Sequence, residues 1–412
     1  MLTAVQYALS NGPRMAVAPG AGHSTISLWA GYDCGSRHDP PGMGGLAHLI
    51  EHLCSGLAAS DYAEFGAQFN AHTHLDFTCY NASFLPEYLA RALDAERLRM
   101  TIGVGTGADL DREINGVSAE LRTTTCRPEW GLSARVVRAC FGTHPYGRPV
   151  AGSCEELQRL TLPGIAAHWR QRYVPERLTL VLAGAGIDLQ CAAEIAERVF
   201  RGIPRCTMDN QDCTGAEQLA MCPEVFHERA RVRKPFFHYA YRVSREDREV
   251  LPLLQMLVSG TNSWSSRTWH GGSWFLAQLK REGLAEACSA DYRPAREAEV
   301  LHLLGRAADS AARDALERRL AKLGSAVAEL AAPAAVDVVR RQLTADILRT
   351  CSSPAAFAEL YGTAICTQFP TAEEMIRRIK EVSADFVREA AARLFHPKNC
   401  VAGWLLPDDT VN

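Results

Sequence analysis

The apolar positions near the start of the chain come in short strand-like runs and then change period. Residues 7–9, 14–18 and 25–30 alternate or run apolar as half-buried strands do, and Asn11-Gly12 between the first two is a hairpin turn signal. Behind Gly42-Met43-Gly44-Gly45, the residues Leu46, Leu49, Ile50 and Leu53 recur at helical spacing and predict a helix. Residues 78–84 read as a further strand, and residues 89–100 and 110–124 as two amphipathic helices.

One order of elements occurs twice. A helix over 162–173 is broken by Pro175 and followed by an apolar strand over 178–186. A helix over 383–395 is broken by Pro397 and followed by an apolar strand over 400–406. The recurrence predicts two related units of about 200 residues, since a repeated order of elements marks a repeated fold. The polar stretch 205–222, with Asp209-Asn210-Gln211-Asp212 and Gly215, reads as the linker between domains spanning 1–212 and 213–412. Residues 260–273 read as a long loop, and the Ala/Leu/Arg-rich segment 307–345 as two helices separated by Pro333. The fold class expected is α+β, with two related domains, each a mainly antiparallel sheet packed with helices.

Composition narrows the possible functions. The chain has 412 residues, enough for two or three domains, and a formal net charge of −3. That balance excludes a generally basic nucleic-acid or membrane-surface binder. No apolar run reaches the ~18–20 residues of a membrane span. The first residues show no basic region followed by an apolar core, so a cytoplasmic location is expected. The 14 cysteines include no C-x-x-C pair and read as reduced thiols packed in the core.

The sharpest chemical feature is His48-Leu49-Ile50-Glu51-His52. On a helix, His48 and His52 stand at i and i+4, so their imidazoles share a face one turn apart. That separation suits two nitrogens bonding one zinc ion at about 2.0–2.1 Å. Glu51 points toward the same face and can sit beside the ion without ligating it. This is the H-x-x-E-H order, the inverse of H-E-x-x-H. A catalytic zinc takes three protein ligands, so a third is expected on another rigid element. Glu113 and Glu120 lie seven apart on one helix face, so one can ligate while the other supports a histidine from behind.

With these residues in place, the chain resembles the pitrilysin/insulinase family of inverted zinc metallopeptidases, in the short-subunit branch that includes the mitochondrial processing peptidase. Residues 45–53, Gly-Leu-Ala-His-Leu-Ile-Glu-His-Leu, are similar to the family's zinc helix, and residues 113–120 to its E-x-x-x-V-x-x-E segment. The resemblance implies one zinc per chain on His48, His52 and Glu120, with Glu51 as general base and Glu113 as the carboxylate behind a ligand. His52 and Glu120 are 68 positions apart, shorter than is usual in the family, and the shortening is expected in a loop around 54–61. Residues 70–80 are similar to the family's N-A-x-T-x-x-D-x-T-x-Y strand. By resemblance, Asn70, Ala71 and Thr73 bind an extended peptide substrate by strand addition. His72 and His74 alternate with Ala71 and Thr73 and are not expected to ligate; Thr78 and Tyr80 read as core. Residues 144–149 with Gly152 match a structural loop of the family.

One departure carries weight. Active relatives have an Arg and a Tyr in a segment similar to L-R-E-K-x-G-L-A-Y, whereas this chain has Leu279 or Lys280 at the Arg position and Glu286 at the Tyr position. The resemblance therefore implies a zinc endopeptidase subunit whose missing Arg/Tyr pair comes from a homologous partner, forming a heterodimer. A homodimer using Arg267 or His270 as donors is the lesser alternative. A non-catalytic binding or assembly subunit of the same fold is a second reading. A metal hydrolase on an unrelated fold is a third, opposed by the matches at 70–80 and 144–149.

Overall fold

The computed structural model describes residues 3–20, 22–205, 223–261 and 274–408. Their contacts divide the chain into two compact units. The first comprises Met1–Thr123, Arg148–Gly215 and Thr350–Thr371; the second comprises Thr124–Gly147, Ala216–Arg349 and Ala372–Asn412. Relative to a division at 212/213, residues 124–147 join the second unit and 350–371 join the first. Most of the expected linker (206–222) and of the long loop (262–273, with Arg267 and His270) lies outside the described residues.

Among the described residues each unit holds one sheet. In the first, β1 (Val5–Ala8), β2 (Arg14–Gly20), β3 (Ile26–Tyr32), β4 (Gln68–Thr73), β5 (Thr78–Phe84) and β6 (Leu178–Ala185) are ordered β1-β2-β6-β3-β5-β4. In the second, β7 (Glu224–Ala230), β8 (Phe236–Arg242), β9 (Ala285–Tyr292), β10 (Val300–Ala307) and β11 (Cys400–Pro407) are ordered β7-β11-β8-β10-β9. With β1 set aside, both sheets run first, fifth, second, fourth, third in chain order. Each contains a single parallel pair, β2 with β6 and β7 with β11, and is otherwise antiparallel. The apolar strands that follow Pro175 and Pro397 are β6 and β11, inserted at the same place in the two sheets. The expected α+β class is thus the observed one.

Helices pack on these sheets. The first unit carries α1 (Leu46–Glu64), α2 (Leu89–Thr101) and α3 (Gly107–Thr125). The helix α4 (Pro128–Phe141) packs on β8 and β11 of the second unit, where Leu132 and Val136 close over Gly403. In the first unit, the helix Pro354–Thr367 packs on β3 and β6. A Cβ at Gly362 of that helix would lie 2.3 Å from the Trp29 ring, so only glycine admits the indole there. Two expectations are corrected. Residues 54–61 form no loop: α1 continues to Glu64, since Leu53 and Tyr62 extend its buried face and the intervening Leu-Ala-Ala stretch favours helix. The segment 307–345 contains three helices rather than two, Arg313–Leu320, Leu323–Leu330 and Pro333–Thr350, with Pro333 at the first position of the last.

One of the buried ion pairs of the first unit lies between α1, α2 and the sheet. Arg99 of α2 is wholly buried, and its Nε donates to both oxygens of Glu96 at 3.1 Å. Tyr32 and Tyr62 hydroxyls also donate to Glu96, at 3.3 and 3.2 Å. Arg99 Nη1 donates to the Cys54 carbonyl of α1 at 2.7 Å, and the guanidinium lies 3.8 Å over the Tyr80 ring. The sheet, α1 and α2 are therefore tied through one cation. Replacing Arg99 with Met leaves the Glu96 carboxylate buried and uncompensated, and should destabilise the protein by about 3–5 kcal/mol. Urea denaturation measures this; a loss below 1 kcal/mol would show that the pair is dispensable.

Candidate metal centre

The N-terminus of α1 is held by contacts that leave its chemistry-bearing face open. Gly45 caps the helix at φ +85°, a left-handed conformation suited to glycine. Asp39 accepts from Gly45 N through one oxygen and from Ala47 N through the other, both at 2.9 Å. It satisfies two backbone donors at the helix start. Glu156 accepts from Gly44 N at 3.2 Å. Gly152 runs so close that a Cβ there would lie 2.2 Å from the Gly44 carbonyl oxygen, which explains the glycine in the 144–152 segment. Leu46, Leu49, Ile50, Leu53 and Cys54 are buried, so the opposite face of the helix is fixed in the core.

On the open face, the rings of His48 and His52 lie 4.8 Å apart at 86°. Glu120 of α3 faces both: its oxygens are 4.0 Å from His48 Nε2 and 3.8 Å from His52 Nε2. Glu113, two turns earlier on α3, lies 3.4 Å from His52 Nδ1. One donor atom from each of His48, His52 and Glu120 falls within 4.8 Å of the others. Tetrahedral zinc with bonds of 2.0–2.1 Å requires ligand separations of roughly 3.3–3.4 Å. Closing these donors on an ion thus needs their separations to shorten by roughly 0.5–1.5 Å. Two imidazoles and one carboxylate fit zinc, and Glu113 stands where a carboxylate orients a ligating histidine. Burial, and then the neighbouring His52, push the His48 imidazole down to about 4, so it is neutral and able to ligate at physiological pH.

Glu51 is buried beside this cluster and accepts a hydrogen bond from the Thr73 hydroxyl at 2.8 Å. Burial pushes its carboxyl above the usual range, while the Thr73 hydroxyl pulls the other way. Thr73 belongs to β4, an outer strand of the sheet, and no described strand pairs with its other edge. Asn70, Ala71 and Thr73 line the same open cleft of about 610 Å³ as His48, Glu51, His52, Glu113 and Glu120. All eight residues singled out from the sequence are therefore brought together in the first unit.

Other expected positions fall elsewhere. Thr78 and Tyr80 are core residues, as expected. His144 is buried in the second unit, 2.6 Å from Glu297. Leu279 is a core residue of that unit and Lys280 is exposed. Glu286 is exposed on β9 with the Lys234 ammonium at 3.2 Å. Strand alternation could flag His72 and Cys79 as near neighbours on one face, but nothing in the sequence brings Glu359 to them, where the structure places it.

Residues 15–153 match the model of the Insulinase (Peptidase family M16) family. An uncharacterized zinc protease of Mycobacterium leprae is 32% identical over 174 residues, covering 40% of this chain. The match spans only 39% of that relative's length. Among solved structures, a protease from Helicobacter pylori superposes with a TM-score of 0.84 at 18% identity, over 99% of this chain and 100% of that one. A peptidase M16 inactive domain from Pseudomonas fluorescens superposes with a TM-score of 0.82 at 16% identity, over 99% and 98% of the two chains. At these identities the two structures speak for the fold alone. Among the described residues no helix is long and apolar enough to cross a membrane.

The contact between Glu113 and His52 generates a prediction. Glu113→Gln keeps the shape and removes the charge behind His52, and should weaken zinc binding by about 10–100-fold. Competition with a chromophoric chelator measures it; unchanged affinity would remove Glu113 from the centre.

Proposed function

Because the chain belongs to the insulinase/pitrilysin (M16) family, we propose that it is a zinc endopeptidase subunit acting on unstructured peptides or peptide precursors. The observation that carries this reading is the convergence on one cleft of His48, His52 and Glu120, of Glu51 beside them, and of the free edge of β4. His48, His52 and Glu120 would hold the ion, and Glu113 would orient His52. When bound, zinc supplies Lewis acidity toward a carbonyl oxygen and toward water. Glu51 is the group that takes the proton from water at a carboxylate oxygen and returns it to the leaving amine. Its raised proton affinity suits both transfers. The Thr73 hydroxyl holds the carboxylate in place and favours its ionised form. An extended peptide would pair with β4 by main-chain hydrogen bonds, which selects unfolded segments over folded ones.

A tetrahedral oxyanion needs a donor besides the metal. Ionised Glu286 offers only acceptors, and neither Leu279 nor Lys280 has a guanidinium fork. The proposal therefore includes a homologous partner subunit that supplies an Arg/Tyr pair. The same substitutions favour a second reading, in which the chain binds peptides or assembles with partners without cleaving them.

Glu51→Gln tests the catalytic reading. It should retain zinc and lose about 10²–10⁴-fold in peptide cleavage, measured on an unstructured peptide with the partner present. Full activity would exclude Glu51 as the base. Thr73→Val removes the donor that favours ionised Glu51, so the acid limb of the pH–rate profile should move to higher pH; a limb that stays in place assigns it to another group. The chain alone should cleave far more slowly than with its homologous partner, and equal rates would show that no partner donors are needed.

A further inference from the structure

The face of β4 opposite the candidate metal centre carries a second group of ligating side chains. His72 of β4 and Cys79 of β5 are direct cross-strand partners, and Cys79 Sγ lies 3.3 Å from His72 Nε2. Glu359 comes from the helix Pro354–Thr367, with Oε1 3.5 Å from His72 Nε2. One donor atom from each of the three falls within 4.8 Å of the others. Tetrahedral zinc with one sulfur ligand needs separations of roughly 3.3–3.6 Å, so the two measured pairs already have the required spacing.

The surroundings orient these donors. Glu359 Oε2 accepts from Trp29 Nε1 at 3.1 Å and from Asn81 Nδ2 at 3.0 Å, which turns Oε1 toward His72. Such outer contacts fix a ligating carboxylate in place. Among the described residues, Asn81 Oδ1 is buried with no hydrogen-bond partner, so it is an acceptor available to a water on an ion. Cys79 is fully buried, whereas the side chains of His72 and Glu359 are 41% and 39% exposed and give an ion a way in.

We propose that His72, Cys79 and Glu359 form a second cation site, selective for a thiophilic divalent transition metal such as zinc. A thiolate and an imidazole favour such ions over magnesium or calcium, which take oxygen ligands. On binding, the metal–sulfur bond forms as the Cys79 S–H bond breaks, and the proton leaves to solvent. Burial keeps the thiol protonated in the absence of the ion. Three protein ligands leave a fourth position for water. The occupied site ties β4 and β5 to the helix Pro354–Thr367. It is independent of the peptidase reading, because none of its ligands belongs to the first cluster.

The test uses the full chain carrying His48→Ala and His52→Ala, titrated with cobalt(II). The first cluster contains no sulfur, so a near-ultraviolet sulfur-to-cobalt charge-transfer band cannot arise from it, and the Cys79→Ser variant separates the second site from the other cysteines of the chain. The band should saturate at about one equivalent and disappear when Cys79→Ser is added. Glu359→Gln, at a partly exposed carboxylate, should weaken cobalt binding by about tenfold or more and serves as the second variant if Cys79→Ser fails to fold. The proposal is overturned by a folded double variant without the band, by a band that survives Cys79→Ser, or by cobalt affinity indifferent to Glu359→Gln. Each of these outcomes leaves the first cluster untouched, since that cluster is absent from the protein being titrated.

Discussion

The candidate centre depends on the immobility of α1. Two imidazoles four residues apart can meet one ion only if the helix between them neither frays nor rolls. Rolling is opposed by Leu46, Leu49, Ile50 and Leu53, which are buried on the opposite face. Fraying is opposed at the start by both oxygens of Asp39 on Gly45 and Ala47, and further along by Arg99 on the Cys54 carbonyl. The core of the first unit is thus organised around one helix, and the open face of that helix is where ionisable groups gather.

The second constraint is the sheet edge. Thr73 of β4 donates to Glu51, so the strand that borders the cleft also fixes the carboxylate within it. If peptide strand addition occurs at β4, the scissile bond and the base are referenced to the same strand. The two faces of β4 then carry separate chemistry by simple alternation: Thr73 faces Glu51, and His72 faces Cys79 and Glu359.

Much of this was legible in the sequence because it is local. The helical spacing of His48 and His52, the seven-residue spacing of Glu113 and Glu120, and the recurring helix–Pro–strand order all follow from backbone periodicity. What was not legible depends on distant packing. Arg99 lies in the helix expected over 89–100 with nothing local to mark it as internal, yet it is buried because Glu96, two tyrosines and a helix carbonyl converge on it. Asp39 lies outside the usual capping position and reaches α1 across a glycine-rich turn. The helix Pro354–Thr367 joins the first unit because Gly362 receives Trp29, a fit between residues more than three hundred positions apart. Glu359 comes to His72 and Cys79 for the same reason. The loop expected around 54–61 was inferred from a family spacing, and local helix propensity overrode it.

Anomalous diffraction at the zinc edge, from crystals of the chain grown with one equivalent of zinc, tests the central claim most directly. The account predicts a peak bonded by His48, His52 and Glu120 at about 2.0–2.2 Å, with Glu113 against His52 and Glu51 beside the ion. A chain that takes up no zinc, or that holds it with these three side chains unliganded, would contradict it.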